Sequence, residues 1–175
     1  MILSTETAKE AIQRVIYNKL NINPKNVYIE ELKVYSDIDR DKRGRVVSLA
    51  HIGLITSQKI NNIAATTYVL IEYTKAKNLA YDHDLILKDA LQRLRDRFLN
   101  STIAVKLLPN SFTITELYQL YCLILNKKID KRNFLKKIKS LGIIKEGTEK
   151  VLGQKHRPVQ LFEFKSKEIK NLNIF

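Results

Sequence analysis

The chain has 175 residues, of which 45% are hydrophobic, a formal net charge of +13 and a single cysteine, Cys122. This composition is compatible with a packed core of one domain or two small ones, and it excludes an intramolecular disulfide. We expect a cytoplasmic protein without a membrane partner, because there is no secretory-signal pattern and no apolar run near the roughly 18 residues of a membrane span. We also expect no cofactor.

The positive charge is concentrated towards the C-terminus. Residues 104–175 hold 15 Lys and Arg against 6 Asp and Glu, whereas residues 1–103 hold 16 against 12. A strongly cationic segment of this length favours a polyanionic partner, of which nucleic acid is the commonest. A membrane surface and simple solubility are the alternatives.

The N-terminal part reads as one helix followed by strands. Apolar residues at helical spacing predict a helix over Thr7–Leu20, and Thr7 with Glu10 fits a capping box at its start. Stretches rich in β-branched and aromatic residues predict strands over Val27–Tyr35, Val46–Ile55 and Thr66–Tyr73. The second stretch is almost continuously apolar, which is typical of a central strand covered on both faces.

The hydrophobic period then changes to 3.6 residues, which predicts a helix over Asp82–Phe98. One side of that helix carries apolar residues such as Leu87 and Leu94, and the other side is basic. The stretch "LLPNSFTIT" follows as a boundary. Thr113 and Glu116 form a second capping box at its end.

After Thr113 the predicted order is a short helix, a tight turn, a second short helix and a hairpin. The first helix is predicted over Thr115–Leu125, and "NKKI" is the turn. Asp130 caps the second helix and Gly142 ends it. The apolar stripe of the second helix consists of Phe134, Leu135, Ile138 and Leu141. Two strands around a loop at "GQKHRP" complete the layout of a winged helix-turn-helix.

The second helix of this layout has the features of a helix that reads DNA. Its apolar stripe would seat it on its own domain, and its other side chains are Arg132, Lys136 and Lys139, flanked by Lys131, Asn133 and Lys137. Long cations reach phosphates and base edges in the major groove, and asparagine pairs with adenine. The hairpin tip offers Lys155, His156 and Arg157 to an adjacent backbone or the minor groove. A solvated charged face is the plainer alternative.

Two other residues are interpreted as having no chemical role. Cys122 lies among apolar residues and is read as a small core residue rather than a nucleophile. His156 has no partner at metal-ligand spacing, so no metal site is predicted there.

Several stretches resemble the Nudix-related transcriptional regulators. The segment "FTITELYQLYCLILNKKIDKRNFLKKIKSLGII" with "GQKHRPVQLFEF" resembles their C-terminal winged helix. The segment "LAYDHDLILKDALQRLR" resembles the helix that links their two domains, and "DIDRDKRGRVVSLAHIGLI" resembles a strand-loop-strand of their Nudix-like domain. The implied fold class is α+β, with an incomplete, degenerate Nudix-like α/β domain at residues 1–80, a linker helix at 81–103 and a winged helix-turn-helix domain at 104–175.

The resemblance implies a DNA-binding regulator, most simply a repressor of metabolic genes. In that family the Nudix fold senses a small metabolite, an ADP-ribose-type nucleotide or a sugar, and the proteins work as dimers. A homodimer would place two basic helices in successive major grooves of double-stranded DNA, about 34–36 Å apart. The linker helix would transmit a change in the sensor domain to that spacing.

Roles on the DNA follow from this resemblance and the helix pattern. Positioning contacts are assigned to Thr113, Thr115, Lys131 and Lys137, base reading to Arg132, Asn133 and Lys136, and the wing contact to Lys155, His156 and Arg157. In the sensor domain, Arg40 and Arg43 are candidate anion contacts for an effector. A structural or solvated role is the alternative for both arginines.

The catalytic Nudix box can be compared residue by residue. Glu6 and Arg14 keep its first glutamate and its arginine, but Val15, Asn18 and Lys19 replace three further glutamates. Those carboxylates hold divalent cations that neutralise pyrophosphate and help to activate water. A valine, an amide and an ammonium cannot do so, and we predict that the protein is not an enzyme of this kind.

A Nudix fold normally has strands before its box helix, whereas here that helix opens the sequence. Three explanations are open: a truncated chain, a partner subunit that completes the sheet, or a rearranged domain such as a dimer. Two alternative functions go with them. One is an interaction subunit that completes a partner's Nudix fold, and the other is a Nudix-type hydrolase with an unconventional site.

Overall fold

The computed structural model describes residues 1–60, 72–151 and 159–174. Contacts along the chain divide it into two compact units, Met1–Leu91 and Gln92–Phe175, and the division falls inside the longest helix. Each unit has its own buried apolar residues.

The N-terminal unit begins with helix α1, Ala8–Leu20. The predicted capping box is present, since the Thr7 side chain accepts from the Glu10 backbone N–H and the Glu10 carboxylate accepts from the Thr7 backbone N–H. Asn21, in the left-handed conformation, ends the helix. Ala11 and Ile16 form its buried face, which is the face predicted from the apolar spacing.

Two antiparallel strands follow, β1 at Tyr28–Tyr35 and β2 at Ser48–Leu54. Tyr28 lies opposite Leu54, Tyr35 lies opposite Ser48, and the register shifts between Glu31 and Lys33. A short helix α2, Ser57–Ile60, comes next. Buried side chains of this sheet are Leu32, Tyr35 and Leu54.

The prediction of a strand covered on both faces over Val46–Ile55 is wrong. The strand starts only at Ser48, and the Val46 and Val47 side chains before it are 38% and 59% exposed. Most side chains of β2 are only half-buried, so the strand is not covered on both faces. Most of the strand predicted over Thr66–Tyr73 lies outside the described residues, and Tyr73 itself opens a single 3-10 turn, Tyr73–Lys75.

Helix α3, His83–Asn100, corresponds to the helix predicted over Asp82–Phe98 and runs two residues further. The remaining elements form the C-terminal unit. They are a 3-10 turn at Ile103–Lys106, strand β3 at Phe112–Thr113, helix α4 at Ile114–Leu125, helix α5 at Lys131–Ser140, strand β4 at Ile144–Val151 and strand β5 at Val159–Phe164. The three strands form an antiparallel sheet in the order β3-β5-β4, which with α4 and α5 is the predicted winged helix.

Aromatic side chains form the centre of the C-terminal unit. Phe98 meets Tyr121 edge-on at 5.0 Å between ring centroids, and Tyr121 packs on Phe134 at 5.2 Å. Phe112 and Phe164 form a further pair at 5.0 Å. Such pairs add roughly 0.5–1.5 kcal/mol each to the gain from burial alone.

The segment that follows β5 returns to the end of α3. The backbone N–H groups of Leu172 and Ile174 donate to the carbonyls of Asn100 and Leu99, and Ile174 is completely buried. Thr102 and Lys170 exchange two further hydrogen bonds. This return was not predicted, because the segment shows neither helical nor strand periodicity.

Candidate nucleic-acid interface

Helix α5 is seated by two side chains that have no exposed surface, Phe134 and Ile138. The Phe134 ring meets the edge of Tyr118 at 5.6 Å and packs on Tyr121 at 5.2 Å, both on α4. Burying a phenylalanine and an isoleucine stabilises the fold by about 1.5–3 kcal/mol each. One face of α5 is therefore fixed on the domain, and the other face is left for solvent or a partner.

Both ends of α5 are set by the residues predicted to set them. The Asp130 carboxylate accepts a hydrogen bond from the Asn133 backbone N–H at 2.7 Å, which satisfies a free donor of the first turn. At the other end Gly142 adopts φ of +60°, a left-handed conformation that glycine enters without steric cost.

The outer face of α5 is cationic and exposed. Lys131, Arg132, Asn133 and Lys136 are exposed, and Lys137 is half-buried. The helix contains no acidic residue after its cap. No carboxylate among the described residues pairs with Arg132 or Lys136, so both cations can take an anionic ligand.

The start of α4 lies at the end of strand β3. The Thr113 hydroxyl accepts from the Glu116 backbone N–H at 3.1 Å and donates to the Glu116 carboxylate at 2.9 Å. Thr113 is therefore engaged in the cap, whereas Thr115 is exposed and free to meet a phosphate. Their DNA contacts remain predictions.

The wing is built by β4 and β5. Gly147 lies at an irregularity of β4, where a Cβ atom would approach the Leu161 carbonyl oxygen to 3.3 Å. The Gln160 side chain donates to the Gly147 carbonyl at 3.2 Å and bridges the same irregularity. The predicted wing contacts Lys155, His156 and Arg157 lie outside the described residues.

Three contacts beside α5 were not found from the sequence. The Tyr118 hydroxyl donates to the Ile129 carbonyl at 2.8 Å, and the Lys131 ammonium lies 5.7 Å from the centre of the Tyr118 ring. On α3, Arg95 donates to the Ile124 carbonyl at 3.2 Å, near the C-terminal end of α4. Each joins residues distant in sequence, and no local pattern signals such contacts.

The two candidate effector contacts in the N-terminal unit are already held by carboxylates. Arg40 forms two 2.8 Å bonds to Asp82 and a 2.7 Å bond to Ser48, and its side chain is 5% exposed. Arg43 pairs with Asp41 at 2.8 Å and lies over the Tyr81 ring. This geometry favours the structural alternative, and effector binding by Arg40 and Arg43 remains a prediction.

These pairs also change the acidity of the carboxyl groups. The Arg43 side chain and backbone N–H together lower the pKa of Asp41 to about 2. The Arg40 guanidinium lowers the pKa of Asp82 in the same way. Burial, followed by the bond to Asp89, raises the pKa of Tyr35 to about 12.

Helix α1, which the sequence resemblance matches to the Nudix box, does not carry the metal ligands of that box. The two residues that match the box bind each other, since the Arg14 Nε atom donates to the Glu6 carboxylate at 2.8 Å. Asn18 and Lys19 are exposed, and an ammonium at that position repels a divalent cation. No group of three or more His, Cys, Asp or Glu within residues 1–60, 72–151 and 159–174 is placed to hold a metal ion. The residues present do not fit a Nudix magnesium site.

No helix among residues 1–60, 72–151 and 159–174 is both long and apolar enough to cross a membrane.

The fold and the cationic helix define a winged-helix module of the DNA-binding class. More particularly, residues 104–164 match the NrtR DNA-binding winged helix domain. This match, together with the likenesses that follow, confirms the resemblance to the Nudix-related transcriptional regulators and the α+β fold class.

Other known proteins resemble longer stretches of the chain. The chain is 29% identical over 141 residues to the ADPR responsive transcriptional repressor NtrR of Acinetobacter baylyi, covering 78% of this chain but only 56% of that protein. It is 26% identical to Shewanella oneidensis NrtR, with a TM-score of 0.79 over 94% of this chain and 77% of that one. The same protein in complex with a 27mer DNA gives a TM-score of 0.78 at 23% identity, over the same shares of the two chains, and this likeness concerns the fold.

A third likeness concerns the fold alone. The MutT/nudix family protein of Enterococcus faecalis superposes with a TM-score of 0.65 at 18% identity, covering 95% of this chain and 73% of that one.

Proposed function

We propose that the protein is a sequence-specific, duplex-DNA-binding transcriptional regulator, and a repressor. The observation that carries the proposal is the outer face of α5, where exposed cations, with no acidic residue on the helix after Asp130, lie opposite the fully buried side chains of Phe134 and Ile138. An α-helix fits the major groove, and its cations neutralise phosphates and release their counterions. The match to a DNA-binding winged helix supports the same conclusion.

The DNA contacts are divided between bases and backbone. Arg132 and Lys136 suit guanine, which offers two acceptors in the major groove, and Asn133 suits adenine. Lys131, Lys137 and Thr115 lie beside them and suit phosphates. Lys127 and Lys128, exposed in the turn between α4 and α5, add two cations next to the start of α5.

The N-terminal unit has no Nudix hydrolase activity in this proposal. Nudix chemistry needs carboxylates that hold divalent cations against a pyrophosphate, and Val15, Asn18 and Lys19 supply none. The unit serves effector sensing and homodimerisation instead. Because the Acinetobacter baylyi relative is ADPR responsive, an ADP-ribose-type nucleotide is the effector class to test first.

The remaining parts of the proposal concern organisation and place. A sensor at residues 1–80, a linker helix at 81–103 and a DNA-binding domain at 104–175 act together in a homodimer. The protein works in the cytoplasm, where its target DNA is accessible.

The test compares two double variants that each remove two positive charges. Arg132→Ala with Lys136→Ala alters the outer face of α5, and Lys9→Ala with Lys25→Ala alters exposed residues of the N-terminal unit. The unmodified protein first selects a duplex of about 30 base pairs, roughly three turns long, from a random pool. Fluorescence anisotropy then measures the affinity of each protein for this duplex over a range of salt concentrations.

The α5 variant should lose at least tenfold in affinity, because two base contacts are lost, whereas the slope of log K against log salt should change by less than the value of about 1 expected for each lost phosphate contact. The N-terminal variant should keep both values. Equal losses in the two variants would mean that general positive charge, rather than α5, drives binding.

A further inference from the structure

Tyr118 joins three parts of the helix-turn-helix that are separate in sequence. It lies on α4, its hydroxyl donates to the Ile129 carbonyl at 2.8 Å, and its ring meets Phe134 of α5 edge-on at 5.6 Å. The Lys131 ammonium lies over the same ring at 5.7 Å from its centre. Ile129, Lys131 and Phe134 all lie at or near the first turn of α5, so the three contacts act together on the start of that helix.

The hydroxyl contact fixes where α5 begins. Ile129 immediately precedes the N-cap residue Asp130, and the position before an N-cap sets the angle at which the chain enters the helix. The neighbouring Cys122 thiol, followed by burial, raises the pKa of the Tyr118 phenol. A tyrosine is protonated at neutral pH in any case, since its ordinary pKa is about 10, so the phenol is a donor to the Ile129 carbonyl.

The ring contact orders a lysine that would otherwise be free. Lys131 is the first residue of α5 and is exposed, and a lysine side chain loses considerable rotamer entropy when a phosphate immobilises it. An ammonium over the face of a tyrosine is attracted by the ring quadrupole. Part of the ordering is therefore complete before DNA arrives.

We propose that Tyr118 is a positioning residue for DNA recognition, whose hydroxyl sets the start of α5 and whose ring pre-orders Lys131 for a backbone phosphate. The inference rests on the proposed function, since it needs α5 to be the helix that meets DNA. Tyr118 is half-buried and is not expected to touch DNA. It nevertheless contributes to the affinity of the cationic face of α5 for DNA.

The experiment separates the hydroxyl from the ring. Tyr118→Phe removes only the hydroxyl bond, and Tyr118→Leu removes the ring as well. Both are measured in the unmodified protein and in a Lys131→Ala background, on the selected duplex described above. Tyr17→Phe is the matched control, because Tyr17 is 58% exposed on α1. Circular dichroism and thermal unfolding identify any variant that fails to fold.

Tyr118→Phe should weaken DNA binding by about two- to tenfold, the effect of one hydrogen bond, while Tyr17→Phe should leave it unchanged. Tyr118→Leu should weaken it further, and the difference between the Leu and Phe variants should vanish in the Lys131→Ala background. A general loss of packing would keep that difference in both backgrounds.

The outcomes distinguish this inference from the function on which it rests. If Tyr118→Phe binds as tightly as Tyr17→Phe, the hydroxyl anchor is refuted, and if the Leu–Phe difference persists without Lys131, the pre-ordering of Lys131 is refuted. Both results leave DNA binding by α5 intact. If the unmodified protein selects no duplex, or binds one equally well without Arg132 and Lys136, the proposed function itself is wrong.

Discussion

Arginine serves two purposes in this chain, according to what lies beside it. Arg14, Arg40 and Arg43 each face a carboxylate of the N-terminal unit, at distances of 2.8 Å. Arg132, by contrast, is exposed on a helix that has no acid after its cap. A guanidinium that is already bound bidentately has few donors left for a ligand, whereas an exposed one offers its planar fork to phosphate or guanine.

The pair of Glu6 and Arg14 predicts a pH dependence of stability. The Arg14 guanidinium lowers the pKa of Glu6 from its ordinary value of 4.5 to about 2. A carboxyl whose pKa is lower in the folded state stabilises the fold above the unfolded-state pKa, and this contribution is lost as pH falls through the folded-state value. The melting temperature should therefore fall between about pH 4.5 and 2, and Glu6→Gln should flatten that fall.

The measurement is thermal unfolding by circular dichroism at a series of pH values. Asp41, whose pKa is also lowered to about 2, titrates in the same window and should remain in the Glu6→Gln profile. An unchanged profile in Glu6→Gln would contradict the assignment of this ion pair.

Replacing Arg40 and replacing Arg43, which lies in the same loop, should have different effects on the melting temperature. The Arg40 side chain is 5% exposed and binds both Asp82 and Ser48, whereas the Arg43 side chain is 73% exposed. Removing Arg40 leaves the Asp82 carboxylate without its partner, so Arg40→Ala should lower the melting temperature more than Arg43→Ala. Differential scanning calorimetry of the two variants measures this, and equal melting temperatures would contradict a larger structural role for Arg40 than for Arg43.

At the scale of elements, helices α4 and α5 were predicted well because their signals are local. Thr113 with Glu116, Asp130 and Gly142 mark helix ends through bonds within a few residues, and the structure has each of them. The exposed cationic face of α5 followed from the same period of 3.6 residues.

What could not be predicted depends on contacts distant in sequence. Val47 is exposed because β2 begins only at Ser48, opposite Tyr35, and the burial of Ile174 reflects a return to the end of α3. In the candidate nucleic-acid interface, the bond from Tyr118 to Ile129 likewise joins residues that are separate in sequence. The same holds in the N-terminal unit for the bond from Arg40 to Asp82. Periodicity reports which face of an element is buried, but not which element buries it.

We expect a large loss of stability when a buried side chain that packs α5 on α4 is removed. Phe134 lies on α5 and is completely buried against α4, so Phe134→Ala should destabilise the fold by about 3–5 kcal/mol through lost burial and a cavity. Leu123→Ala on α4 is the matched control, since Leu123 is 59% exposed, and should cost little. Urea unfolding followed by tyrosine fluorescence measures both, and a similar cost for the two changes would rule out the seat described for α5.

At the scale of the whole molecule, charge is distributed unevenly between the two parts of the chain. Residues 104–175 carry 15 Lys and Arg against 6 Asp and Glu, out of a net charge of +13 for the whole protein. Such a field attracts DNA from a distance and gives salt-dependent, sequence-independent affinity. Under the proposed function, specificity comes from the few side chains of α5 that are proposed to reach base edges.

The central claim, that the outer face of α5 reads bases, is tested most directly by a loss-of-contact measurement. Each base pair of the selected duplex is substituted in turn, and affinity is measured for the unmodified protein, for Arg132→Ala and for Lys9→Ala. A substitution at the base pair that Arg132 reads should cost the unmodified protein about 1–3 kcal/mol and cost the Arg132→Ala variant almost nothing. The Lys9→Ala variant should keep the full profile of costs. An Arg132→Ala variant that still discriminates at every position as the unmodified protein does would contradict base reading by Arg132.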